Sequence, residues 1–214
     1  MPLVIDELPP REVAGDEVRA PLAAAPDARA RDVSLGRRLA AGDRAALDEV
    51  VEVYAPRVSR LAYRLLGWSG GASDVEDVVQ DVFVAVLRHA GRFDGRSSLS
   101  TWITSIAVNH CRSLRRRLAA RVRAMAAVFR RARRSGAAHA ADESAIRDDD
   151  AERVREAVRQ LRPADREVIV LHYLEQADAA EVAAILGVSK NAVEVRLHRA
   201  RARLRALLER DLDF

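Results

Sequence analysis

The chain has 214 residues, and its 36 lysine and arginine residues outnumber its 32 acidic residues to give a formal net charge of +4. This length suits two small helical domains joined by a linker. A single cysteine, Cys111, excludes an internal disulfide and a cysteine-rich metal site. We expect Cys111 to be a small buried residue, and the alternative is a redox sensor.

Charge is distributed unevenly along the chain. Residues 112–134 hold ten arginines and no acid, whereas residues 142–152 hold six acids and one arginine. Such segregation predicts contact with a polyanion in some places and repulsion in others.

The N-terminal segment does not have the pattern of an export signal. Asp6, Glu7, Pro9 and Pro10 stand where a signal peptide needs a basic start and an apolar run. No apolar stretch approaches the roughly 18 residues of a membrane span. We therefore expect a soluble, cytoplasmic protein with no membrane insertion.

Residues 1–33 are rich in alanine, proline, aspartate and arginine and lack a sustained apolar period, which predicts a mostly disordered tail. From Asp43 onward, apolar residues recur every three or four positions, as one face of a helix requires. Pro56 is expected to kink or divide this helix. The apolar face comprises Leu47, Val50, Val51, Tyr54, Val58, Leu61, Ala62 and Leu65.

A second helix is expected after a break at residues 68–71. Ser73 can cap it, and Glu76 lies three positions on, as a capping box requires. Its buried stripe comprises Val75, Val78, Val79, Val82, Phe83, Val86 and Leu87. The opposite face carries Glu76, Asp77, Gln80 and Asp81. Taken alone, that polar face is most simply a solvated helix surface.

A turn at residues 91–95 leads through three serines into a further helix beginning near Thr101. These helices form a first domain, residues 34–118. The apolar period fades over residues 119–148, which indicates a linker whose first part can continue the preceding helix.

Four short helical segments make a second domain, residues 149–214, with breaks near Pro163, at residues 176–178 and at Gly187. The sequence therefore predicts an all-α fold of two small helical domains joined by a flexible linker.

Residues 178–203 carry the pattern of a helix-turn-helix. Ala183 is small where two helices must approach closely, Gly187 can take the positive φ of a tight turn, and Ser189 can cap the next helix. The shared core is expected to comprise Val182, Ile185, Leu186, Val188, Val193 and Leu197. The alternative is an ordinary helical hairpin with a solvated basic face.

In such a unit the second helix enters the major groove of DNA. The residues expected to face base edges are Lys190, Asn191, Glu194, Val195 and His198. Those suited to phosphates are Arg196, Arg199, Arg201 and Arg203, and Arg199 can also reach a guanine. The histidines lack the paired spacing of a metal site, so we expect no metal and no cofactor.

These residues resemble the extracytoplasmic-function sigma factors, the smallest members of the sigma-70 family. The resemblance covers roughly residues 40–118 and 150–210. Residues 74–109, DVEDVVQDVFVAVLRHAGRFDGRSSLSTWITSIAVN, are similar to the family's second region. Residues 161–205, LRPADREVIVLHYLEQADAAEVAAILGVSKNAVEVRLHRARARLR, look like its fourth region. Such factors direct promoter-specific initiation and catalyse no reaction themselves.

The family resemblance implies surfaces that bind the polymerase and surfaces that bind the −10 and −35 elements of a promoter. Asp77, Gln80 and Asp81 match positions that bind the coiled-coil clamp of the polymerase β′ subunit. For promoter −10 recognition and strand opening, the matching residues are Ser98, Leu99, Ser100, Thr101 and Asn109, with Arg112 and Arg116 suited to the DNA backbone. Trp102 suits either a core position or a stacked base.

The fourth-region resemblance implies that the helix-turn-helix binds the −35 element and that its neighbouring helices bind the β flap. Glu194 and Asn191 depart from the residues common at their places, which alters the expected base preference. An anti-sigma protein is a further implied partner. The acids of residues 142–152 either mimic RNA in the exit path or favour the next helix through its dipole.

Two other classes of protein remain as alternatives. The first is a stand-alone helix-turn-helix regulator, against which residues 74–109 resemble a polymerase-binding region rather than a sensor. The second is a metal-dependent nuclease using Asp148, Asp149 and Asp150. Three adjacent carboxylates on a polar linker lack the rigid scaffold of a metal pair, which disfavours it.

Overall fold

The computed structural model describes residues 26–67, 71–132 and 149–210, and within these ranges the chain is helical with no strand. The N-terminal unit consists of α1 (Pro26–Ala40), α2 (Arg44–Leu65), α3 (Ala72–His89) and α4 (Leu99–Ala132). The C-terminal unit consists of α5 (Asp149–Gln160), α6 (Pro163–Ile169), α7 (Ala179–Leu186) and α8 (Lys190–Arg210). None of the described helices combines the length and apolar character needed to cross a bilayer.

Helix α1 corrects the prediction of a disordered tail over residues 1–33, because residues 26–33 are helical. Residues 1–25 lie outside the described part. Leu39 of α1 is buried in the core, and the Asp32 carboxylate accepts a 2.7 Å hydrogen bond from the backbone N–H of Leu99. Tertiary packing therefore stabilises a helix that lacks a long apolar period of its own.

Helices α2 and α3 begin differently. The Asp43 side chain caps α2 by accepting from the N–H groups of Ala45 and Ala46, at 2.9 and 3.3 Å. Pro56 lies inside α2 without dividing it. At α3 the N-cap is Gly71, with no side-chain bond, so the prediction that Ser73 caps this helix was wrong.

The buried apolar stripe of α3 is shorter than the sequence predicted. Val75, Val78, Val82, Phe83 and Val86 are buried against α2 and α4. Leu87, which was predicted to be buried, is 45% exposed. The stripe thus ends one residue before the end that was predicted.

Helix α4 starts at Leu99, where Ser98 Oγ accepts the N–H of Thr101 at 3.0 Å. It continues to Ala132, so residues 119–132 of the predicted linker are helical. Residues 133–148 lie outside the described part. The buried face of α4 comprises Leu99, Ile103, Ala107, Val108, Cys111 and Leu114.

The C-terminal unit has the four predicted segments. Pro163 occupies the first turn of α6, where its missing N–H costs nothing, and α6 passes into a π-helical turn at Val170–Leu174. Asp178 and Glu181 then form a capping box at the start of α7. This capping box was not predicted, although its D-x-x-E spacing is visible in the sequence.

We expect Asp178→Ala to lower the free energy of unfolding of the C-terminal unit by about 1 kcal/mol. The Asp178 carboxylate accepts from the N–H groups of Ala180 and Glu181, at 2.7 and 2.8 Å, and alanine leaves both donors without this acceptor. Urea unfolding followed by circular dichroism measures the loss. Asp178→Asn retains an acceptor and serves as the control, so equal losses in both variants would contradict the capping role.

Candidate polymerase and nucleic-acid interfaces

Helices α7 and α8 form the predicted helix-turn-helix. Gly187 has φ 67° and ψ 38°, the left-handed conformation that a glycine adopts without strain. The N–H of Val188 donates to the Ala183 carbonyl at 3.1 Å, and Ser189 Oγ accepts the N–H of Ala192 at 3.2 Å. Val193 and Leu197 are buried in the core. Both the turn and the cap are as predicted.

The outer face of α8 is available to a partner. Its exposed residues include every one predicted to face base edges: Lys190, Asn191, Glu194, Val195 and His198. Arg199 is exposed, and Arg196 and Arg201 are half-buried. Lys190 Nζ lies 3.8 Å from Glu194 Oε1. One helix face therefore combines hydrogen-bonding groups with arginines that can reach phosphates.

The polar face of α3 has the exposure that a docking surface requires. Asp77, Gln80 and Asp81 are all exposed. Asp81 Oδ2 lies 3.6 Å from His110 Nδ1 and 3.9 Å from Arg117 Nη2, so α4 reaches the edge of this face. At these distances on the surface the pairs contribute little to stability, and a protein partner can replace them at small cost.

The predicted −10 residues fall into buried and accessible groups. Leu99 and Thr101 are buried, so they shape the start of α4 rather than present side chains to a ligand. Ser98 Oγ is 2.8 Å from Thr101 Oγ1. Ser100 is half-buried, whereas Asn109 and Arg116 are exposed.

Trp102 is half-buried and packs against the core. Its ring centroid is 5.5 Å from that of Phe93, in a tilted arrangement. This geometry favours the core position that the sequence left open alongside base stacking.

Arg112, also predicted to contact DNA, pairs instead with the C-terminal unit. Its Nη2 donates to Glu167 Oε2 at 2.8 Å, and Arg115 Nη2 donates to Glu167 Oε1 at 2.5 Å. The Glu167 side chain is only 3% exposed. Burial raises the pKa of Glu167, but hydrogen bonds from the two guanidinium groups outweigh it and hold the pKa below its ordinary value.

Glu175 forms a second junction between the two units. Its carboxylate accepts from Arg57 Nε at 3.1 Å and from Arg64 Nη1 at 2.9 Å, and its side chain is 7% exposed. Arg57 also donates through Nη1 to Ser100 Oγ at 2.8 Å. Arg57 thus connects the start of α4 to the C-terminal unit.

Arg166 forms a third junction at the end of α2. Its buried guanidinium donates to the carbonyl oxygens of Leu65 at 3.3 Å, Val158 at 3.2 Å and Leu161 at 3.3 Å, and also to that of Arg159. The Leu65 carbonyl accepts a further bond from Arg115 at 3.2 Å. The last carbonyl groups of a helix lack N–H donors within that helix, and here arginine side chains donate to them.

The buried acids at these junctions were not predicted from the sequence. Glu167 and Glu175 have no local motif, and each meets arginines more than 50 residues away in the chain. A charged residue is expected to be exposed unless a partner is known, so the sequence contained no signal for their burial.

Cys111 is buried, as predicted. Burial raises the pKa of its thiol to about 12, so the reactive thiolate is scarce at neutral pH. Within the described residues, no group of three or more histidine, cysteine, aspartate or glutamate side chains is placed to hold a metal ion.

Two family models match the chain in the order of the two units. The model of Sigma-70 region 2 matches residues 50–121, and that of Sigma-70, region 4 matches residues 151–204. The first match contains α3 and the start of α4, and the second contains the helix-turn-helix.

Two relatives match over nearly their whole length. The RNA polymerase sigma factor NccH of Alcaligenes xylosoxydans xylosoxydans is 31% identical over 191 residues, covering 83% of this chain and 95% of NccH. The RNA polymerase sigma factor CnrH of Cupriavidus metallidurans is 33% identical over 199 residues, covering 85% of this chain and 96% of CnrH.

Solved structures agree with these matches. CnrH in complex with the cytosolic domain of CnrY is similar with a TM-score of 0.61 and 32% identity, covering 84% of this chain and 98% of CnrH. The sigma factor RpoE of Bartonella quintana, in complex with the anti-sigma factor NepR, has a TM-score of 0.57 and 26% identity, covering 76% and 96%. The ECF RNA polymerase sigma factor SigM of Mycobacterium tuberculosis is 34% identical over 169 residues, covering 78% of this chain and 80% of SigM. The chain therefore belongs to the sigma-70 family, as an extracytoplasmic-function sigma factor that acts in transcription initiation.

Proposed function

We propose that three surfaces of this chain bring core RNA polymerase to promoters: the polar face of α3, the first turns of α4, and the outer face of α8. The observation that carries this proposal is the exposure of all the predicted base-facing residues on the outer face of α8, the second helix of a helix-turn-helix with a tight turn at Gly187. RNA polymerase works in the bacterial cytoplasm, and we therefore propose that the chain acts there. Phosphodiester synthesis belongs to the polymerase.

The polar face of α3 docks on the clamp of the β′ subunit through Asp77, Gln80 and Asp81. Support comes from their exposure on a helix whose opposite face is buried in the core. Charged and amide groups on a rigid helix can orient a partner and speed its association.

Recognition of the −10 element uses the start of α4 and the exposed side of that helix. Ser98 and Ser100 offer hydroxyl groups to an extruded base, and Asn109, Arg112 and Arg116 lie further along the same helix. Leu99 and Thr101 support this segment from inside the core. A splayed base needs such polar groups at its edge and cations along its backbone.

Recognition of the −35 element uses α8. Lys190, Asn191, Glu194, Val195 and His198 meet base edges, and Arg196, Arg199 and Arg201 meet phosphates or guanine. The remaining helices of the C-terminal unit bind the flap of the β subunit.

An anti-sigma protein is the further partner in this proposal. CnrH and RpoE, two proteins that this chain resembles, were solved with CnrY and with the anti-sigma factor NepR. We infer a partner of the same class for this chain, one that competes with the polymerase for its surfaces.

We expect Asp77→Ala/Gln80→Ala to reduce promoter-specific initiation at least about tenfold, since the variant loses a charge and an amide from a docking surface. In the test, purified protein is mixed with core polymerase and genomic DNA fragments, and the transcripts are then sequenced. The wild-type protein should give start sites downstream of a shared pair of elements.

The control is Asp48→Ala/Glu52→Ala, which removes two exposed acids from α2 and so loses one more negative charge than Asp77→Ala/Gln80→Ala does. We expect this control to initiate like the wild type. If the core polymerase gains no promoter-specific initiation from any of the proteins, while the chain alone protects a palindromic site, the proposal is wrong and a stand-alone regulator replaces it.

A further inference from the structure

The loop before α4 lies against α1. We call residues 93–100 the capture loop, because the proposed function places the extruded −10 base there. The capture loop joins the 3-10 turn Ala90–Arg92 to the first turn of α4. Helix α1 packs against that 3-10 turn and also against α2, α3 and α4. Three residues of α1 meet the capture loop: Asp32, Val33 and Gly36.

Two glycines allow α1 and the capture loop to approach closely. A Cβ atom at Gly36 would lie 2.5 Å from Phe93 Cδ1, and a Cβ atom at Gly95 would overlap Val33 Cγ2. Gly95 also has φ 71°, a conformation that residues with a Cβ atom rarely adopt. Inside a helix glycine is less stable than alanine, and the close contact with Phe93 explains its presence at position 36 of α1.

Asp32 adds a directed hydrogen bond to these contacts. Its Oδ2 accepts the backbone N–H of Leu99 at 2.7 Å. The first N–H groups of a helix have no acceptor within that helix, and hydrogen bonds to a carboxylate are stronger than those to a neutral acceptor. Asp32 is half-buried and Leu99 is buried, so water competes poorly for this bond.

The bond holds the capture loop at the residue between the two serines whose hydroxyl groups are proposed to receive the base. Leu99 lies between Ser98 and Ser100, and Ser98 Oγ in turn accepts the N–H of Thr101 at 3.0 Å. A binding loop that is already ordered loses little conformational freedom when its ligand arrives. Release of Leu99 would let both serines move and would make base capture less favourable.

We propose that Asp32 is a positioning residue for −10 recognition, which acts through Leu99 to hold the capture loop in the conformation that receives the extruded base. Base capture rests on the proposed function, whereas the anchoring of the loop by α1 does not. Helix α1 lies before residues 50–121, which match the Sigma-70 region 2 model. The −10 site therefore depends on a residue outside the matched region.

The first measurement is hydrogen–deuterium exchange in the full chain, followed at the Leu99 amide by NMR. In Asp32→Ala we expect this amide to exchange at least about tenfold faster than in the wild type, because it loses a charged acceptor. The measurement needs neither polymerase nor DNA, so it tests the anchoring of the capture loop alone.

The second measurement is the affinity of the complex with core polymerase for a single-stranded oligonucleotide. The oligonucleotide carries the non-template −10 sequence that the sequenced transcripts define. We expect Asp32→Ala to bind it about tenfold more weakly than the wild type does. The affinity of the variant for core polymerase should be unchanged, because the proposed docking residues lie on α3. A merely structural role of Asp32 would weaken both affinities.

Three further variants make the test specific. Asp32→Asn keeps an oxygen acceptor, so we expect a smaller loss than in Asp32→Ala. Asp48→Ala removes the same charge from an exposed site on α2 and should bind the oligonucleotide like the wild type. If Asp32→Ala unfolds, Gly36→Ala replaces it, because alanine favours α1 while its Cβ atom displaces Phe93. We expect this variant to lose affinity for the oligonucleotide but not for core polymerase.

The role of Asp32 is refuted if folded Asp32→Ala binds the oligonucleotide like the wild type, or if Asp32→Asn loses as much affinity as Asp32→Ala. It is also refuted if the affinity for core polymerase falls equally. Faster exchange at Leu99 in a protein whose wild type does not distinguish the −10 sequence from a scrambled one would refute the proposed −10 function while leaving the anchored loop. Selective binding by the wild type with unaffected variants would refute the role of Asp32 alone.

Discussion

Arg196→Ala/Arg199→Ala should lower transcription from a promoter that depends on its −35 element by about 100-fold. Both arginines lie on the accessible side of α8, and each lost contact to a base or phosphate is worth about 1–3 kcal/mol. Neither side chain is part of the buried core, so the helix-turn-helix should remain folded. Transcript yield over a range of protein concentrations measures the effect.

The control for this prediction is Arg205→Ala, which removes an exposed arginine further along the same helix. It lowers the net charge by one unit without touching the turns that enter the groove. Equal losses in both variants would mean that α8 contributes only general positive charge. The double variant should also show a smaller dependence of DNA affinity on salt, because fewer counterions are released.

The helix-turn-helix was predictable because its determinants are local. Gly187 and Ser189 each fulfil their roles within one turn of their own position. The exposed residues of α8 follow from helical period once the buried positions are known. Local geometry therefore allowed the candidate DNA-reading face to be predicted residue by residue.

The prediction failed where distant contacts decide the structure. Helix α1 forms although its own sequence has no long apolar period, because Leu39 enters the core and Asp32 binds the start of α4. Ser73 is a suitable capping residue, yet Gly71 takes the N-cap and α3 begins one residue before the serine. Local propensity allows a helix to start at more than one residue, and tertiary packing decides which of these starts is used.

The same reason explains why the candidate −10 surface was only partly predictable. The start of α4 lies close to its predicted position, but the pairing of Arg112 with Glu167 joins residues on either side of residues 119–148. Charge segregation in the sequence indicated a polyanionic ligand for the arginines. In the structure, the first anionic partner of Arg112 and Arg115 is a carboxylate of the chain itself.

Arg166→Ala should lower the free energy of unfolding of the C-terminal unit by about 2–4 kcal/mol. The buried guanidinium donates to the carbonyls of Val158 and Leu161 at the end of α5, and alanine removes this donor from both in a site closed to water. The Val158 carbonyl keeps a hydrogen bond from the N–H of Leu161 at 3.2 Å. Burial lowers the pKa of Arg166, with the positive charges of Arg115 and Arg159 adding to the effect, yet arginine stays charged at neutral pH. Urea unfolding measures the change.

The control is Arg162→Ala, an exposed arginine just before α6, for which we expect a change within about 0.5 kcal/mol. A loss confined to Arg166→Ala would assign the stability to the buried guanidinium rather than to the charge of this segment. If Arg166→Ala unfolds at the same urea concentration as the wild type, water must replace the guanidinium. Because Arg166 also binds the Leu65 carbonyl of the N-terminal unit, the variant should in addition loosen the contact between the two units.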